Sequence, residues 1–183
     1  MTAPIDDGYP IVVRLGGRPV LVVGGGRVAL RKASGLAAAG AQVTVVSPEF
    51  VDGFAGLPGT TLLRRAYLST DLDGVALAFA ATDDPAVQQQ VFDDGEQRRV
   101  LVNAADDPER CSFILPAVER RGAVIVAVST QGRSPALAGQ LRDLLARALP
   151  EDLDAIVEAA ARRRAEIHQA GGSTEDADWA DLL

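Results

Sequence analysis

The chain has 183 residues, 48% of them hydrophobic, which is enough for one domain of ordinary size with its own core plus an appendage. Its longest apolar stretches are strand-sized and broken by Gly, Arg or Asp, so no membrane span and no signal-peptide core is read from it, and a cytoplasmic location is expected. A net charge of −7 argues against nucleic acid as a partner, and one cysteine (Cys111) with one histidine (His168) leaves neither an internal disulfide nor a zinc cluster to expect.

Taken in chain order, residues 19–24 (PVLVVG) form an apolar run. Residues 27–39 (RVALRKASGLAAA) then set Val28 and Leu36 among alanines and charges at helical spacing before Gly40, which reads as strand, turn, helix, stop. AQVTVVS (41–47), β-branched, alternating and ended by Pro48, is a second strand and completes a βαβ unit. TTLLRRAYL (60–68) reads as an exposed strand, and VALAFAAT (75–82) as a strand buried on both faces. DDPAVQQQVFDDGEQRR (83–99) reads as a helix with an Asp cap, Asp83 being the expected capping residue, and VLVNAA (100–105) as another buried strand. The alternation predicts an α/β fold, a Rossmann-like doubly wound parallel sheet.

After that the pattern changes. CSFILPAVERRGAVIVAVST (111–130) predicts two antiparallel strands joined by ERRG, and SPALAGQLRDLLARAL (134–149) a helix with Ser134 at its cap and Pro135 at its first position. A further helix after Pro150 has Leu153, Ile156, Val157, Ala160 and Ile167 on one face, before a frayed end. Charge is uneven: residues 151–183 hold nine acids against three arginines, whereas 110–147 hold six arginines against Glu119 and Asp143. That local excess suits an anionic small molecule, or is simply a solvated helix surface.

Gly24-Gly25-Gly26-Arg27-Val28-Ala29 satisfies the G-x-G-x-x-G/A dinucleotide pattern directly after a strand and at the start of a helix. Gly24 allows the turn, Gly26 the close approach of backbone to a pyrophosphate, and Ala29 close packing of helix on strand. A glycine turn with no ligand is the bland alternative. The acid expected at the end of the second strand is missing from its usual place. That strand ends Ser47-Pro48-Glu49, so Ser47, Glu49 or backbone groups take the ribose, and with no arginine there for a 2′-phosphate the reading leans to NAD. Lys32 is the only lysine, and neither Tyr9 nor Tyr67 precedes it by four residues, which excludes a Tyr-x-x-x-Lys dehydrogenase.

Any general base is therefore expected to be a carboxylate. Asp83, Asp84, Asp106 and Asp107 fall at the carboxyl ends of strands, where open α/β sheets bind ligands. With Asp83 assigned to a cap and Asp107 to a turn before Pro108, Asp106 is the candidate base. The loop Thr130-Gln131-Gly132-Arg133-Ser134-Pro135 opens a helix whose N-terminus attracts anions, and Arg133 there can clamp a carboxylate; a plain capped turn is the alternative.

Four segments together, VLVVGGGRVALRKASGLAAAGAQVTVVSPE, LAFAATDDPAVQQQVFDD, VLVNAADDPERCSFILPAV and AVSTQGRSPALAGQLRDLL, resemble in order the precorrin-2 dehydrogenase module of siroheme synthases over residues 9–150. The resemblance implies NAD-dependent oxidation of precorrin-2 to sirohydrochlorin, in some members insertion of Fe2+ to give siroheme, and a homodimer. By position it places the catalytic aspartate on Asp106 and the dinucleotide contacts on the glycine turn, including Arg27 and Val28, and on Pro48 and Glu49. Thr82 at the end of the third buried strand joins that expected set, and Thr130, Arg133 and Ser134 are the expected substrate contacts. The chain is then divided into a NAD-binding domain (1–110), a dimerisation segment (111–149) and a helical C-terminal region with an acidic tail (150–183). It carries no methyltransferase segment, so methylation of uroporphyrinogen is expected of another protein, and its region after 150 is short for the helical domain of larger members. A non-catalytic NAD(H)-sensing module is the competing expectation.

Overall fold

A computed structural model describes residues 8–175 and 177–182. Five parallel strands, β1 (Pro19–Val23), β2 (Gln42–Ser47), β3 (Thr60–Arg64), β4 (Leu77–Ala80) and β5 (Leu101–Ala104), form one sheet in the order β3-β2-β1-β4-β5. Helix α1 (Arg27–Ala38) connects β1 to β2, and α2 (Pro85–Arg98) connects β4 to β5. The sheet therefore grows outward from β1 in both directions, and the switch between β1 and β4 opens a crevice at the carboxyl ends of the strands.

Alternation of side chains across the strands explains why both faces are apolar. Val20, Val22, Val43, Val45 and Phe79 point to one face and pack with Ala29, Ala33 and Leu36 of α1. Leu21, Val23, Val46, Ala78, Ala80 and Val102 point to the other and pack with Val91 of α2. The small side chains of α1 let it lie close on the sheet, which brings its first turn to the end of β1. β3 is the edge strand and only partly covered, as its mixed sequence implies, and it stops at Arg64, short of the expected 68.

The chain divides after Ile114, four residues beyond the expected boundary at 110, because Cys111 and Ser112 pair back onto β5. The second unit is not split near 150. It holds an antiparallel hairpin, β6 (Ala117–Arg121) and β7 (Val124–Val128), with α3 (Pro135–Ala148) packed on it and α4 (Leu153–Gln169) following. Most of ERRG belongs to β6, and the turn is only Gly122-Ala123, with Gly122 at φ +55°. The C-terminal segment is not simply frayed: Arg163 of α4 bonds Asp181 at 2.7 Å and lies over the Trp179 ring.

Candidate functional site

The glycine turn is built from three differently constrained glycines. Gly24 has φ +126°, and a Cβ there would collide with the Ala81 carbonyl at the end of β4, so both conformation and space require glycine. A Cβ on Gly25 would strike the Glu49 carbonyl, while the Gly25 carbonyl accepts the Val51 N–H at 2.9 Å, tying the turn to the loop after β2. Gly26, by contrast, has ordinary extended backbone, and a Cβ there would enter open space. It is the N-cap of α1, with no side-chain cap and no acid in the first turn, whereas Asp84 caps α2 and Ser134 caps α3. The first N–H groups of α1 are left for an anion, which is the donor set and the space that a pyrophosphate fits.

These residues floor a cleft of about 750 Å³, a size suited to a small-molecule or cofactor site. Of the residues singled out from the sequence, Gly24, Gly25, Gly26, Arg27, Val28, Ser47, Glu49, Thr82 and Asp106 line it. Ala29 is fully buried beneath, as helix-to-strand packing requires, and Pro48 is exposed beside the cleft without lining it. Glu49 stands exposed, and Ser47 is buried. Thr82 is occupied by its own neighbours, its hydroxyl accepting the Asp84 N–H and its carbonyl accepting Gln88 Nε2 at 2.6 Å. An arginine does come near this strand end from another strand: in the β2–β3 ladder Arg64 stands opposite Ser47, with its guanidinium 5.2 Å from the ring of Phe50, a cleft residue, but Arg64 itself does not line the cleft. It lies seventeen positions downstream of Ser47 in sequence, so only the sheet brings it near.

Of the four carboxylates at these strand ends, one differs from its expected role. Asp84 caps α2, its Oδ1 accepting from Ala86 N at 2.9 Å and from Val87 N at 3.4 Å; Asp83 does not, and instead lines the cleft. The helix starts at Pro85, so the residue directly before it holds the capping geometry. Asp107 pairs with Arg110. Asp106, exposed in the cleft, has no hydrogen-bond or ion-pair partner among the described residues, and its backbone sits at φ +60°. Asp tolerates that left-handed conformation better than most residues, and such strain concentrates at functional positions.

Sequence reasoning gave Lys32 no role. Its ammonium donates to Asn103 Oδ1 at 3.0 Å and lies 5.1 Å from the centre of the Phe79 ring. Burial lowers its pKa, with Arg31 acting in the same direction and Cys111 and Asp106 opposing. Burial likewise raises the pKa of the Cys111 thiol. The available signal was that Lys32 is the only lysine in an arginine-rich chain.

Thr130, Arg133 and Ser134 belong to the second unit. The Thr130 hydroxyl accepts the Ser134 N–H at 2.9 Å and donates to the Ser134 carbonyl at 3.0 Å, and Ser134 Oγ caps α3. Both hydroxyls close a turn, leaving Arg133 as the outward group of the three. The arginine excess is also smaller than its count implies. Arg121 donates to the carbonyls of Ala146, Leu149 and Pro150, Arg142 pairs with Asp143, and Arg110 with Asp107. Among the described residues no helix is long and apolar enough to cross a membrane.

An NAD(P)-binding family model matches residues 11–117, more than half of the chain and the whole of the sheet just described. The chain belongs to this NAD(P)-binding family. The glycine turn and the cleft above it lie within the matched segment. Siroheme synthase 1 of Serratia proteamaculans is 42% identical over 89% of this chain and 35% of its own length. Siroheme synthase of Photobacterium profundum is 43% identical over 88% and 35%. The chain thus spans about a third of these relatives. A solved structure titled SirC, precorrin-2 dehydrogenase, superposes with a TM-score of 0.72 at 29% identity, covering 92% of this chain and 84% of that one.

Proposed function

We propose that this chain oxidises precorrin-2 to sirohydrochlorin with NAD as electron acceptor. The observation that carries the reading is an unpaired carboxylate, Asp106, on left-handed backbone at the mouth of a cleft whose floor is an uncapped, glycine-lined helix N-terminus. The names of the siroheme synthases and of SirC point to the same chemistry.

NAD, when bound, supplies a hydride acceptor. The chain's own residues do the rest. Gly26, Arg27 and Val28 present main-chain N–H groups to the pyrophosphate, and Ala29 keeps the helix close enough for them to reach. Ser47, Pro48 and Glu49 border the ribose, with Glu49 favouring free hydroxyls over a 2′-phosphate, and Thr82 shapes the wall. A carbon of the tetrapyrrole gives up hydrogen with its electron pair, and Asp106 accepts the accompanying proton, so two electrons and one proton leave the substrate beside the hydride's own nucleus. Arg133 binds substrate carboxylates, with Thr130 and Ser134 holding its loop. The product is a candidate for Fe2+ insertion by the same carboxylate, since a base is needed as pyrrole protons leave.

A homodimer in the cytoplasm fits this role. α3 exposes Leu137, Leu141, Leu144 and Leu145, and within the second unit only Ala138 and Leu153 are buried among the described residues. A second copy would cover that apolar stripe.

The test is NADH formation from NAD and precorrin-2 generated in place, comparing wild type with Asp106→Asn. Wild-type turnover lost in the variant supports the reading. Cofactor binding without any NADH formation would make the chain an NAD(H)-sensing module instead.

A further inference from the structure

The Asp106 loop is closed at its base by groups that the proposed chemistry leaves unused. After β5 the chain returns alongside it: Ser112 N–H donates to the Val102 carbonyl at 2.7 Å, Val102 N–H donates to Ser112 Oγ at 3.2 Å, and Asn103 and Cys111 form an antiparallel bridge. The Asn103 side chain is buried and fully used. Its Nδ2 donates to the Phe113 carbonyl at 2.9 Å and to Cys111 Sγ at 3.4 Å, while its Oδ1 accepts from Lys32 at 3.0 Å. The Cys111 thiol in turn reaches the carbonyls of Ala104 at 3.3 Å and Asp107 at 3.1 Å. Residues 104–110 are therefore tied at both ends, with Asp106 at φ +60° between the ties.

Shape alone does not orient an amide, whose oxygen and nitrogen are nearly the same size. An ammonium has three donors and no acceptor, so it must face the oxygen, and Nδ2 is then turned toward Phe113 and Cys111. A compact point charge on a flexible stem suits the half-buried place between the Phe79 face and the amide, where the wide planar fork of an arginine does not. A strained backbone conformation persists only when its surroundings over-determine it, and this network is what surrounds Asp106.

We propose that Lys32 is a positioning residue: by fixing the Asn103 amide it holds the Asp106 loop in one geometry toward the cleft, without touching the dinucleotide. The inference rests on Asp106 being the base of the reaction proposed above. Lys32 is absent from the cleft lining, which separates it from the binding residues.

The chain's single lysine and single cysteine make the test clean. Lys32→Met keeps an unbranched apolar side chain of similar length and removes the ammonium. Its kcat for NADH formation from precorrin-2 should fall about 10- to 100-fold while KM for NAD and the NADH dissociation constant stay within about 2-fold. Amide exchange over residues 103–113 and the rate of Cys111 modification by an aromatic disulfide reagent should both rise about tenfold, with exchange in β1 unchanged. Asn103→Asp, which keeps the acceptor for Lys32 but loses the Nδ2 donors, should reproduce these changes and serves if Lys32→Met does not fold. Unchanged exchange and thiol reactivity, a loosened loop with unchanged kcat, or a rise in KM for NAD with kcat intact would each overturn the proposal. A wild type that forms no NADH would overturn the reading of Asp106 and the catalytic half of the proposal, while exchange and thiol reactivity still decide whether Lys32 holds the loop.

Discussion

Gly24 and Gly26 are two residues apart and constrained in opposite ways, which makes them a sharp pair of probes. Gly24→Ala meets both a forbidden φ and the Ala81 backbone, so it should lower the melting temperature and disorder the cleft. Gly26→Ala meets nothing, so the protein should melt as wild type does yet bind NADH more weakly by about tenfold or more, because the methyl group occupies the approach to the helix N-terminus. Calorimetry and a fluorescence titration of NADH check both. Equal NADH affinity in Gly26→Ala would remove the pyrophosphate from that place. At this scale the sequence was legible where a residue's role is local, as with the fingerprint glycines and Ser134. It was not where the partner is remote in sequence: Arg64 comes to Ser47 only through strand pairing, and Lys32 of α1 meets Asn103 of β5, 71 positions away, only in the folded chain. Asp83 and Asp84 differ by one position, finer than cap assignment from sequence resolves.

Elements were read well because their signals are internal to them. Strand-length runs separated by turn and helix signals located every strand of the sheet, and Pro at the first turn located α2 and α3. Helix α2 depends on the Asp84 cap, so Asp84→Ala should cost about 1 kcal/mol in denaturant unfolding, while Asp83→Ala should cost almost nothing. A second device holds the connection from β3 to β4. Asp71 accepts two hydrogen bonds from Arg65, at 2.7 and 2.5 Å, and one from Leu68 N–H at 2.9 Å. The Arg65 bonds, opposed by burial, hold the Asp71 carboxyl below the ordinary 3.8. A carboxyl whose pKa is lower in the folded than in the unfolded state stabilises the fold above the unfolded value and loses that stabilisation as pH falls through the folded one. The melting-temperature gap between wild type and Asp71→Asn should therefore be open at neutral pH and close as pH falls below the ordinary carboxylate range; a gap independent of pH would mean that charge plays no part. The end of the chain was misjudged as frayed because its contacts, Asp181 and Trp179 on Arg163, join residues with no shared periodicity.

Over the whole molecule the count of arginines between 110 and 147 overstates the free positive charge. Two of the six pair with acids one and three positions away, and Arg121 donates to carbonyls 25 to 29 positions downstream. The second unit also leaves its apolar helix face exposed, so Leu141→Glu combined with Leu144→Glu should shift sedimentation from dimer toward monomer; an unchanged dimer would place the interface elsewhere. Membership of the NAD(P)-binding family rests on the first unit. The most direct measurement of the proposed reaction is its stoichiometry, NADH and sirohydrochlorin followed together in one cuvette as precorrin-2 is consumed. Wild type should yield the two in equal amounts and Asp106→Asn neither, although the variant still binds NADH. Sirohydrochlorin formation at the wild-type rate by Asp106→Asn, or tight NADH binding by a wild type that forms no NADH, would contradict the account.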